Sequence, residues 1–230
     1  MRHLRLRRRP TTWLATLLLL AGLGTPALAE RKVTVGEESK AFPVEGATRL
    51  KLDVPVGEVH VEAGTGDRIE AHMELLCGSF SRRCRERAAQ LHLTPTRSGD
   101  DISLRLRDQR GDDGGRRSNY PEVDLHLTVP ASLALFVDMG VGELDVDGVE
   151  GDVTVDLGVG EARLDLPESA VKSVALDVGV GEAHLSPRAH EAHREGFLFL
   201  GNEVDWREGI GRSRVAVDVG VGEAHVRLVP

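Results

Sequence analysis

The phrase "DVGVGEAH" occurs twice, from Asp177 and from Asp218, and close variants begin at Asp138 ("DMGVGELD") and Asp156 ("DLGVGEAR"). Each copy sits in an alternating apolar run, yet each carries two glycines, which weaken a strand and leave nothing to pack. A costly pair repeated at a fixed place points to a backbone requirement. Val215, Val217, Val219 and Val221 share one parity, and after Gly222 and Glu223 the apolar set resumes at Ala224, Val226 and Leu228. Period-two patterning means strand. A slip of one position at glycine marks a corner that the chain turns without losing its inside. The corner residues are Gly140, Gly142 and Glu143; Gly158, Gly160 and Glu161; Gly179, Gly181 and Glu182; and Gly220, Gly222 and Glu223.

The corner glutamates are separated by 18, 21 and 41 residues. The last gap is double, and "LFLGNEVDW" places Glu203 midway as a degenerate copy. Units of about 20 residues are a solenoid signature. The expected fold is therefore all-β: a β-solenoid of stacked short strands over 131–230, preceded by an antiparallel β-rich part over 48–130. Aromatics make up only 3 % of the chain, which suits a narrow interior of Val, Leu and Ala. The competing architecture is an antiparallel sandwich with similar hairpins. In the N-terminal part, "LDVPVGEVHV" around Glu58 stands alone as a repeat-like phrase. "SFSRRCRERAAQ" suits a short helix or an arginine-rich loop, and Asp108 to Asn119 reads as a Gly-rich charged loop.

Residues 1–29 have the organisation of a signal peptide. "MRHLRLRRRP" is a basic start, "WLATLLLLAGLG" an apolar stretch, and "PALA" a small-residue cleavage site. The expected organisation is a cleaved signal over 1–29, an extension over 30–47, and then the two β regions. No stable membrane span is expected after cleavage. Removing the signal takes away five arginines and leaves 24 basic against 37 acidic residues, a net charge of −13. That charge excludes nucleic acid as a partner and favours cations or a basic partner. Cys77 and Cys84 are the only cysteines, and in an exported chain such a pair is most simply a local disulfide.

Stacking would align side chains about 4.8 Å apart. One outward column would hold Asp138, Asp156, Asp177, Leu198 and Asp218, and the corner column Glu143, Glu161, Glu182, Glu203 and Glu223. These columns read either as a Ca²⁺ edge or as a solvated acidic edge. The Ca²⁺ solenoid motif is absent, which favours the second. Two positions after each glutamate the column reads Asp145, Arg163, His184, Asp205 and His225. The pattern gives either a cross-coil charge ladder or a metal site at His184, Asp205 and His225. No nucleophile, phosphate-loop or acid–base motif is visible, so no catalytic residue and no cofactor is assigned.

"LKLDVPVGEVHVEAGTGDRIEAHME" and "VDLHLTVPASLALFVDMGVGELDVDGVEGDVTVDLGVGEARLDLP" together resemble the bacterial "putative adhesin" domain family, over roughly Thr48 to Pro230. That family is of unknown function and is related to the head domains of autotransporter adhesins. The resemblance implies a stacked β-solenoid of the cell envelope, in the periplasm or at the surface. It also implies a non-enzymatic structural or interaction module whose partner is an unknown envelope protein or polysaccharide. It supplies no catalytic residues to carry over, and Gly-Glu replaces the family's usual Gly-Asp corner. The alternative is a carbohydrate-active enzyme or a Ca- or Zn-binding protein on the same scaffold.

Overall fold

In the computed structural model the described residues are 31–108, 120–187, 193–197 and 200–230. The signal-like segment, Leu198 and most of the charged loop before Tyr120 lie outside them. The elements run β1 (Lys32–Pro43), β2 (Arg49–Gly64), β3 (Arg68–Gly78), α1 (Arg82–Ala88), β4 (Leu91–Ser98), β5 (Asp101–Asp108) and β6 (Glu122–Pro130). They continue as β7 (Ala134–Asp147), β8 (Val153–Pro167), β9 (Val171–Ser186), β10 (His193–Phe197), β11 (Leu200–Trp206) and β12 (Ser213–Val229). All the strands join one mixed sheet of order β1-β3-β6-β2-β7-β8-β12-β9-β11-β10, from which β5 and β4 branch off β2. Among the described residues the fold is all-β with one short helix, and the sheet does not close on itself.

The long strands cannot be straight. β7 and β8 are parallel neighbours, with Leu135 opposite Val153 and Asp147 opposite Asp165. A straight 14-residue strand such as β7 would span roughly 46 Å. The connection 148–152 reaches only about 20 Å. The strand must therefore double back, and it does so at the glycines. Burial alternates up to Met139, Leu157, Val178 and Val219, then resumes at Leu144, Ala162, Ala183 and Ala224. That step of five flips the parity and keeps the apolar side inward after the turn. β2 shows the two limbs separately: residues 49–53 pair with β5, whereas 57–64 pair with β6. Val, Leu and Ala side chains of the limbs fill one core.

The second glycine of each corner has no substitute. Gly160 has φ 149°, and a Cβ there would lie 1.8 Å from the Gly142 carbonyl oxygen. Gly142, Gly222 and Gly181 each meet a neighbouring corner's carbonyl oxygen in the same way. Corners this tight stack only if every copy lacks a side chain.

Several expectations need correction. The strand order in the sheet is not chain order, because β12 lies between β8 and β9, parallel to both. Glu203 belongs to no corner: β11 runs antiparallel to β9 and places Glu203 opposite Asp177. The phrase around Glu58 is not isolated, since β2 is itself a corner strand in register with β7. Val221 does not share the inward face of Val219, because the slip begins at Gly220; Val221 is 47 % exposed. Residues 30–47 supply β1, which pairs with β3 along its length.

Candidate functional site

Because the corners are in register, each outward position forms a row across the sheet. The second limbs carry two such rows side by side. The first is acidic: Asp124 lies opposite Glu58, followed by Glu143, Glu161, Glu223 and Glu182. Like charges about 4.8 Å apart repel by about 1 kcal/mol per pair even in water. Two residues further along lies the second row: His72, His126 and His60, then Asp145 and Arg163, then His225 and His184. The phrase Glu or Asp, any residue, His builds both rows at once, because residues i and i+2 point to one side of a strand.

The centre of this face is held by Arg163. Its guanidinium contacts Glu161 and lies 3.8 Å from Glu143 and 4.0 Å from Asp145. On one flank, His225 Nε2 lies 3.0 Å from Glu223 and 3.6 Å from Glu161, and the His184 ring stacks on His225 at 4.8 Å. The hydrogen bond to His225 holds the Glu223 carboxyl below its ordinary range, assisted by the positive charges around it. On the other flank, the His60 and His126 rings stack at 4.6 Å and 15°, beside Asp124. Asp145, Asp147, Arg163, Asp165, His225 and Arg227 line an open depression on the same face.

The structure thus brings His184 and His225 together but not Asp205. Asp205 lies opposite Ala175 on β9 and contacts Arg207 at 3.3 Å. The corner glutamates Glu143, Glu161, Glu223 and Glu182 share one row, with Glu223 between Glu161 and Glu182. Sequence reasoning missed His60, His72 and His126, which lie on strands outside the main repeat. The signal was present, since "EVH" and "DLH" repeat the acid-x-His spacing of "EAH".

The first limbs carry a separate acidic row, with Asp53, Asp138, Asp156, Asp218 and Asp177 in register. The Asp138 carboxyl is pushed above its ordinary value, first by burial and then by Asp53 and Asp156 on either side. Between the two limbs, at the outside of the corners, Val141, Val159, Val221 and Val180 form a row exposed by 44–47 %. Away from this face, a disulfide joins Cys77 at the end of β3 to Cys84 on α1, with Cα atoms 5.9 Å apart. Among the described residues no helix is long and apolar enough to cross a membrane.

A family model described as the N-terminal domain of toast_rack, DUF2154, matches residues 30–186. No curated protein matches the chain. Among solved structures, a "putative cell adhesion protein" from Clostridium sporogenes is similar at TM-score 0.52 and 17 % identity, covering 84 % of this chain and 99 % of that one. A "putative adhesin" from Bacteroides fragilis is similar at TM-score 0.28 and 12 % identity, covering 83 % of this chain and 97 % of that one.

Proposed function

Since the chain belongs to the toast_rack N-terminal domain family, we propose that it is an exported, non-enzymatic, adhesin-like module of the cell envelope. Its doubled-back strands are the coils of a flattened solenoid, and its partner is an envelope protein or polysaccharide. The signal-like residues 1–29 support export. The net negative charge supports a role away from nucleic acid and anionic lipid surfaces.

The observation that carries the reading is the corner ridge. Val141, Val159, Val221 and Val180 present an apolar strip, in register, between the aspartate and glutamate rows. Apolar residues aligned in this way, and bordered by charge, suit contact with a partner better than contact with water. The glycines alone would make the corner, so the corner itself does not require valine between them.

Cell fractionation with site-specific photo-crosslinking tests this reading. A crosslinker at Val159 or Val221 should yield a discrete adduct in the envelope fraction, whereas one at the exposed Lys172 should not. Recovery in the cytosol, or equal adducts from both surfaces, would reject it.

A further inference from the structure

We propose that His60, Asp124 and His126 form a binding site for one divalent transition-metal ion of the zinc class. β2 and β6 are parallel neighbours with His60 opposite His126 and Glu58 opposite Asp124. One ligand atom from each of His60, Asp124 and His126 lies within 4.8 Å of the others. Two imidazoles and a carboxylate match the donors that zinc prefers, with a fourth position left for water; the two rings, stacked at 4.6 Å, would turn out of their stack to aim one nitrogen each at the ion. A hard cation such as Ca²⁺ seeks six or more oxygens, which this set does not supply.

Two details single out this cluster. Asp124 Oδ1 is buried and accepts no hydrogen bond, although His126 Nε2 is 3.2 Å away. A buried acceptor without a well-aligned donor is costly, so it favours a compensating group. A cation beside it supplies that group. The second detail is the position of Asp145, whose Oδ2 lies 3.2 Å from His60 Nδ1. A carboxylate at Nδ1 favours the proton there and leaves the Nε2 lone pair for a metal, the usual support for a ligating histidine.

The opposite flank provides the contrast. Glu161, Glu223 and His225 also lie close together, but their charges are already matched. Arg163 contacts Glu161, and His225 is hydrogen-bonded to Glu223. That cluster is an ion-pair network, whereas Arg163 touches the other flank only through Asp145, which is not one of the proposed ligands.

The test is isothermal titration of Zn²⁺ into the untagged full chain, with cobalt absorption as a second readout of ligand geometry. One saturable site is expected. His60→Ala, His126→Ala and Asp124→Asn should each weaken it at least 10-fold, and Asp145→Asn about 10-fold. His225→Ala and His92→Ala should leave it unchanged, and millimolar Ca²⁺ should not compete. Circular dichroism of each variant without metal separates lost binding from lost fold. If His126→Ala unfolds, His126→Gln with Co²⁺ decides. The proposal is overturned if no saturable Zn²⁺ binding occurs below about 100 μM. It is equally overturned if His225→Ala removes the site, or if the His60 and Asp124 variants bind as wild type.

Discussion

Gly160 lies against Gly142 so closely that a Cβ on Gly160 would come within 1.8 Å of the Gly142 carbonyl oxygen. Gly46 also has a positive φ, at 80°, but a Cβ there meets nothing within 4 Å. Gly160→Ala should therefore cost about 3–5 kcal/mol, because backbone must move in two strands. Gly46→Ala should cost only about 1 kcal/mol, from its dihedral angle alone. Urea unfolding of both variants checks the contrast. Equal costs would mean that the corners do not pack as described.

Asp138 predicts a pH dependence. Its carboxyl is raised above its ordinary value of 3.8 in the folded chain. The folded state thus holds that proton more tightly than the unfolded state, and stability falls as pH rises from 3.8 through the folded value. Asp138→Asn should stabilise the protein by about 0.5 kcal/mol at neutral pH, the scale of one cross-strand repulsion at an exposed site. Below pH 3.8 the advantage should vanish. Thermal melts of both proteins between pH 3 and 7 would show the two curves diverging upward. Parallel curves would rule out Asp138 as their source.

The Cys77–Cys84 bridge ties α1 to β3. A helix of seven residues does not hold its shape alone. The protein recovered from an oxidising compartment should show no free thiol until reduced. Reduction should cost about 2–3 kcal/mol, as expected for a short closed loop. Thiol titration with and without denaturant provides the measurement.

Calcium should raise the melting temperature no more than matched ionic strength does. The row of Asp53, Asp138, Asp156, Asp218 and Asp177 offers one carboxylate per strand, spaced by the sheet. It does not gather the six to eight oxygens that Ca²⁺ requires. A saturable shift at micromolar Ca²⁺, abolished by Asp156→Asn, would contradict this.

The corners were legible because their cause is local: the glycines and the parity slip lie within one short phrase. The neighbour order was not legible. The phrases at Asp156, Asp177 and Asp218 are nearly identical, so β8 pairs with β12 in the same register that it would adopt with β9. Identical edges carry no address. Glu203 was misplaced because spacing alone does not report strand direction. The histidine row was half visible. His184 and His225 stood in matching phrases, whereas His60, His72 and His126 come from strands of differing sequence that only the pairing brings together.

The position of β12 also sets a schedule. β8 and β9 each present a long edge to it, yet 26 residues separate Ser186 at the end of β9 from Ser213 at the start of β12. While those residues are still being made, two apolar limbs stand apart with their backbone groups unpaired. Assembly therefore waits on the strand made later, as an arch waits on its keystone. Until it arrives, the waiting edges are open to any other chain with the same phrase, including a second copy of this protein.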